Sequence, residues 1–154
     1  MSENATTSPA ASPRPAIAGW FTIDDEPALL GNRCTTCGTV FFPKASFFCR
    51  NPACNGSEFE ETKLSRQGRI WSYTDAQYQP PPPYVPRSAE HTPFAIAAVE
   101  LAEEQMVVLG QVADGYTVAD LHVGQQVELV VEELFTDDNG QQLVWKWRPI
   151  GASA

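Results

Sequence analysis

Histidine, methionine and basic side chains are scarce in this chain: 154 residues hold two histidines, two methionines and ten lysines and arginines. No apolar run approaches the roughly 20 residues that a membrane-spanning helix needs. Nineteen acids against ten bases give a formal charge of -9, a field that repels DNA, RNA and anionic lipid. His91 and His122 stand apart from any serine or cysteine motif of the nucleophile-base kind, and neither glycine-rich phosphate-loop pattern occurs. The acid pairs Glu103-Glu104, Glu132-Glu133 and Asp137-Asp138 fall in turns or on strand faces, where solvated charge is the ordinary state. The chain therefore offers no catalytic constellation of its own. Its first residues, MSENATTSPAASPRP, lack a basic stretch followed by an apolar core, so a soluble, cytoplasmic protein is expected.

What is present is enough for a packed core: 43% of the residues are hydrophobic and 19% charged, and the length suits one domain with a small appendage. Thirteen prolines, four of them consecutive, argue against a helical bundle. Residues 1–15 are Ser, Ala, Thr and Pro with little to bury, and read as a disordered tail. Residues 16–32 predict a short helical segment, with Asp24 or Asp25 as N-cap, Pro27 in the first turn and Gly31 as the stop. All four cysteines lie in the next stretch, 33–63.

From residue 64 to 150 the pattern is of strands and turns. RIWSYTD (69–75) alternates, with Trp71 and Tyr73 on one face and Ile70, Ser72 and Thr74 on the other. FAIAAVEL (94–101) and MVVLGQV (106–112) form a hairpin, a single helical turn lies in TVAD, and VELVVEELF (127–135) turns through Asn139-Gly140 into QLVWKWRPI (142–150). Five strands with a helical turn in one connection suit a small Greek-key barrel of the oligonucleotide/oligosaccharide-binding (OB) type, with an SH3-like barrel or small sandwich as alternatives. The expected class is thus mainly β: a short N-terminal helix, a small cysteine-bearing module and an OB-fold barrel.

Cys34-x2-Cys37 and Cys49-x4-Cys54 supply two close thiol pairs, the donor set of a tetrahedral structural zinc. Disulfides would need an oxidising compartment, and catalytic zinc would need an open coordination position that four thiolates close; an iron-sulfur cluster is the lesser alternative. A module this small cannot bury enough core to fold alone, so the metal is expected to be obligatory for it. The loop QPPPPYVPRSAEHTP (79–93) carries six prolines. It reads as a linker or as a docking surface whose ordering entropy is already reduced, and Tyr84, Val85 and Arg87 favour docking. Trp71, Tyr73, Trp145 and Trp147 offer either core filling or a stacking platform for single-stranded nucleic acid. Beyond residue 64 the acids outnumber Arg66, Arg69, Arg87, Lys146 and Arg148 by more than two to one, so the electrostatic funnel for nucleic acid is missing.

Taken in order, the cysteine knuckles with Phe42-Pro43 between them, the strand GRIWSYT (68–74), the apolar FAIAAVEL strand and the proline-rich loop resemble the family once called domain of unknown function thirty-five, over about residues 17–150. The second knuckle departs from the family pattern, with RNPA in place of two intervening residues. The resemblance implies a rubredoxin-like zinc ribbon followed by an OB barrel. It also implies a non-catalytic partner of a thiolase-like enzyme, such as a thiolase or a lipid-transfer-protein-type aldolase of the kind used in steroid side-chain degradation. Such a complex makes or breaks carbon-carbon bonds in acyl-CoA thioesters, with the reacting groups on the partner. A heterotetramer with two copies of each chain follows from the two-fold symmetry of such enzymes. Contact with acyl-CoA is expected through a shared site at most, since bases for its phosphates are sparse. Tyr84 and Val85 of the loop and Phe41, Phe47 and Phe48 of the ribbon are the expected partner-binding residues.

Overall fold

A computed structural model of the chain describes residues 12–150. Nine strands follow in order: β1 (Arg14–Pro15), β2 (Leu30–Cys34), β3 (Val40–Phe41), β4 (Phe59–Lys63), β5 (Gln67–Ala76), β6 (Phe94–Leu101), β7 (Met106–Val112), β8 (Gln126–Asp137) and β9 (Gly140–Pro149), with one 3-10 turn at Val118–Asp120. The described residues contain no α-helix, and no helix long and apolar enough to cross a membrane.

Strands β3, β2 and β4 form a small antiparallel sheet, in that order, and the larger sheet runs β1-β9-β7-β6-β5-β8. Strand β8 also pairs with β9, so β5 to β9 close on themselves. Parallel pairing of β7 with β9 (Gln111 with Lys146, Val112 with Trp147) makes the Greek-key crossover, and a 3-10 turn fills the β7–β8 connection, as in an OB barrel. That turn carries a capping box: Thr117 Oγ1 accepts from the Ala119 N–H, and the Asp120 carboxylate accepts from the Thr117 N–H at 2.8 Å. The β8–β9 hairpin turns at Asn139-Gly140, where Gly140 adopts φ 107°.

Ile70, Ala97, Val99, Leu101, Val127, Leu129 and Trp147, each at most 2% exposed, fill the barrel. Gly110 leaves room for the largest of them, since a Cβ there would stand 2.8 Å from the Trp147 indole and 2.9 Å from Trp145. The core does not stop at the barrel. Phe21, Leu29 and Leu64 belong to the same buried cluster, and Trp20, Phe42 and Trp145 meet at ring separations of 5.4 to 6.2 Å. The N-terminal segment and the ribbon are thus packed onto the barrel through one aromatic junction.

The helix expected over 16–32 is not formed. Backbone pairing across the segment replaces it: the Leu30 N–H donates to Trp20 O, the Thr22 N–H to Ala28 O, and Phe21 bridges Leu29. Asp24, read as an N-cap, instead accepts from the Glu26 N–H two residues on, an Asx turn. Asp, Pro and Gly mark turns as readily as helix ends. The buried residues Phe21 and Leu29 are placed by contact with the barrel core rather than on a helical face. Of the expected tail, residues 1–11 lie outside the described part, while Arg14–Pro15 pairs in parallel with Gln142 and Leu143.

Strand β5 departs from simple alternation too. Ile70 pairs with Val99 and Ser72 with Ala98, leaving Trp71 as the extra residue of a bulge. Trp71 is consequently turned out to solvent, 62% exposed, and Tyr73 falls in the row of Ala97 and Gly110 instead of sharing a face with Trp71. Trp147 is wholly buried and Trp145 is stacked on Trp20. The four aromatics do not form a common platform.

Candidate metal centre and exposed aromatic surface

Each cysteine is delivered by a short, hydrogen-bonded piece of backbone. Cys34 ends β2, and the chain turns at once, the Gly38 N–H closing on Cys34 O at 2.9 Å with Gly38 at φ 79°. Cys37 sits in that turn. Cys49 and Cys54 lie between β3 and β4, where the Cys49 N–H donates to Gly56 O and the Cys54 N–H to Asn51 O, both at 2.9 Å. The two additional residues of the second knuckle are absorbed by an Asx turn, Asn51 Oδ1 accepting from the Ala53 N–H at 3.0 Å.

The four Sγ atoms lie within 4.8 Å of one another. Cys34 and Cys54 are 3.8 Å apart and Cys37 and Cys49 3.5 Å. A tetrahedron with zinc-sulfur bonds of about 2.3 Å has edges of about 3.8 Å, so the observed set fits one such ion. Two backbone amides point at sulfur, Asn51 N–H to Cys49 at 3.5 Å and Gly56 N–H to Cys54 at 3.3 Å, which stabilises negative charge there. Gly56 is required by space: a Cβ would stand 2.8 Å from Cys34 Sγ.

The thiols are pulled in opposite directions. Hydrogen bonding to the Thr39 side chain, 3.2 Å away, and to its backbone lowers Cys37 to about 6, whereas burial pushes Cys49 up to about 12. Four thiolates this close cannot all remain charged without a cation between them, and a divalent ion meets that need.

Asn32, which nothing in the sequence singled out, braces the site. Its side chain is 6% exposed, donates from Nδ2 to Ala45 O at 2.8 Å and accepts from the Ala45 N–H at 3.0 Å. Strand β2 is thereby clamped to the segment that carries Phe47, Phe48 and Cys49.

The expected partner-binding residues divide into two kinds. Phe47 and Phe48 stand out from the ribbon, 79% and 77% exposed, and Val85 is 44% exposed on the proline-rich loop. Phe41 instead packs edge-on against Phe59 at 6.3 Å with the Arg50 guanidinium above it. Tyr84 stacks on Phe94 at 6.1 Å. Phe42 is the ribbon phenylalanine that fills the junction with Trp20 and Trp145. His91 contacts Ala76 O through Nε2 at 2.8 Å, holding the loop to the end of β5.

Residues 21–60 match a family model described as the rubredoxin-like zinc ribbon domain of ChsH2, and residues 61–132 match one described as its C-terminal OB-fold domain. A DUF35 domain-containing scaffold protein of Methanocaldococcus jannaschii is 33% identical over 137 residues, which span 87% of this chain and 90% of that protein. The chain belongs to the ChsH2-type, or DUF35, family. A second relative is the benzoylsuccinyl-CoA thiolase subunit BbsA of Thauera aromatica, 30% identical over 125 residues, 80% of this chain and 78% of that one. Among solved structures, the Ltp2-ChsH2(DUF35) aldolase shares the fold, with a TM-score of 0.60 at 24% identity over 79% of this chain and 84% of that one. Zinc is accordingly the cofactor of the DUF35 ribbon, and Cys34, Cys37, Cys49 and Cys54 are the residues positioned to hold it.

Proposed function

We propose that this chain is a zinc-stabilised, non-catalytic subunit of a thiolase-like enzyme that makes or breaks carbon-carbon bonds in acyl-CoA thioesters, supporting that enzyme's assembly and acyl-CoA site. Family membership supports the accessory role, through relatives named as scaffold proteins and as a thiolase subunit. The observation that carries it is the pair Phe47 and Phe48, more than three-quarters exposed on a loop that zinc and Asn32 hold rigid. Two adjacent phenylalanines left in water on an ordered loop are what a protein interface leaves behind when its partner is absent. Val85 adds a second contact from the proline-rich loop, while Tyr84 and Phe41 set the shape of the two contact segments from within. The enzyme's nucleophile and acid-base groups lie on the partner, which is a thiolase or a lipid-transfer-protein-type aldolase. Acyl-CoA is met only where the two chains share its site. Two-fold symmetry of the enzyme gives a heterotetramer with two copies of each chain. Four unpaired thiols serving as metal ligands suit the reducing cytoplasm, and a steroid side-chain acyl-CoA is one substrate to assay.

Co-expression with a thiolase-like subunit encoded beside the chain, followed by size exclusion with light scattering and by thiolysis and retro-aldol assays, tests the proposal. Replacing Phe47 and Phe48 together by Ala should abolish co-elution and partner activity while zinc stays bound. A double variant that assembles normally with a fully active partner would remove the interface. A partner fully active without this chain would remove the function, and salt-dependent binding of single-stranded DNA would favour the nucleic-acid alternative.

A further inference from the structure

Residues 77–93, between β5 and β6, form neither strand nor helix, and Arg87 is the one basic side chain among them. Its Nη1 lies 3.2 and 3.5 Å from the two carboxylate oxygens of Asp114, on the β7–β8 connection, and its Nη2 lies 3.8 Å from Glu133 on β8. An exposed ion pair ordinarily contributes little, because two long side chains must give up their freedom to hold one geometry. Asp114 is different, since it is already fixed. Lys146 of β9, on the outward face of the barrel yet only 1% exposed, places Nζ 3.0 Å from Asp114 Oδ1 and 3.4 Å from Glu132 Oε1. Glu132 in turn accepts from the Asp114 N–H at 2.9 Å. Arg87 therefore closes on an acceptor ordered by a buried ammonium, and only its own freedom is lost. Two other contacts tie the loop to the strands it joins, Tyr84 on Phe94 and His91 on Ala76 O, and beside Arg87 a cleft of about 390 Å3 opens, lined on one side by Tyr84, Arg87 and His91 and on the other by Gln111, Asp114 and Tyr116.

We infer that Arg87 is the positioning residue of the docking loop: its grip on Asp114 and Glu133 sets where Val85, two residues away, is presented to a partner, and buried Lys146 keeps that grip in register with the barrel. This rests on the docking role proposed above for the loop. Prolines limit the shapes of the segment, and Tyr84 and His91 hold it to the two strands that it joins, β6 and β5. The Arg87 network ties it across to the β7–β8 connection, β8 and β9.

Backbone order parameters of the full zinc-loaded chain read the loop directly. Arg87→Ala should lower them over residues 84–92 from about 0.85 to below about 0.6 and leave β6 and β9 unchanged, because Lys146 keeps its acids. Arg87→Lys, a point charge that cannot span both carboxylates, should fall between. At about 1 M salt, where screening acts within about 3 Å, the wild-type loop should approach the order of the alanine variant. Equal loop order parameters in wild type and Arg87→Ala would overturn the inference. In the same variants, affinity for the thiolase-like subunit should fall about tenfold in the alanine form and be partly restored by lysine, with the melting temperature unmoved. A loop that loosens without any change in affinity would also overturn it. Should the wild-type chain bind no thiolase-like subunit, the proposed function fails, and the order parameters still decide whether Arg87 positions the loop.

Discussion

Both polar ends of the Asn32 side chain are engaged by the backbone of Ala45, and both partners are buried. Removing the amide would strand a buried N–H and a buried C=O, each costing about 1–3 kcal/mol. Asn32→Ala should therefore destabilise the zinc-loaded protein by about 2 kcal/mol or more in chemical denaturation, whereas a change below half of that would mean that water replaces the amide freely. Partial burial pushes the Asp114 carboxyl up, but the hydrogen bond and charge of Lys146, with Arg87, outweigh it and hold the group below the usual carboxylate range. Glu133 is held low chiefly by the Gln141 side chain, with Arg87 contributing. A carboxyl depressed in the folded state contributes stability that is complete above its unfolded value, about 4, and is lost as the pH falls through the folded value. The order of the loop should thus be flat above about pH 5 and be lost in the acid limb below about pH 4; order that instead changed near neutrality would assign it to other groups. None of these roles was legible from sequence. Asn32 and Ala45 are thirteen residues apart with no motif between them, and Lys146 meets Asp114 across thirty-two.

Apolar runs bounded by turn residues were readable one by one. FAIAAVEL and MVVLGQV occupy β6 and β7 as expected, and the Asn139-Gly140 turn joins β8 to β9. Bulges escape such a reading because one inserted residue leaves no mark in composition, and at Trp71 that residue reverses the faces of everything after it. The N-terminal segment escaped for another cause: its structure is decided by docking of Phe21 and Leu29 onto the barrel, a long-range term that overrides local helix signals. The knuckles were legible because chemistry fixes their spacing. Their fine structure still depends on Gly56, whose missing side chain leaves Cys34 Sγ in place. Gly56→Ala should displace that sulfur and weaken zinc retention by at least about tenfold in competition with a chelator. Unchanged retention would show that the loop yields at no cost.

At the scale of the whole molecule, the ribbon and the barrel share one packed core, although the sequence reads as two modules in series. Leu64 and Leu29 extend the barrel core toward the ribbon, and Phe42, between the knuckles, contacts Trp20 and Trp145 edge-on at 5.4 and 5.8 Å. Losing zinc frees a module too small to stay folded alone, and the loss reaches the barrel by withdrawing Phe42 from Trp145. Interface aromatics of this size and geometry contribute about 0.5–1.5 kcal/mol each beyond the area they bury, so the barrel should be weakened without being abolished. Calorimetry of the zinc-loaded chain should show a single transition. After chelation the barrel should melt several degrees lower, since about 1 kcal/mol shifts a domain of this size by roughly 4–8 °C, and its tryptophan fluorescence should report greater solvent exposure of Trp20 and Trp145. Cys37→Ser should reproduce both changes. A barrel transition left at the same temperature after zinc removal would return the two modules to independence, and the metal, held by residues 33 to 13 positions before the first residue of β5, would then set the presentation of Phe47 and Phe48 within the ribbon alone.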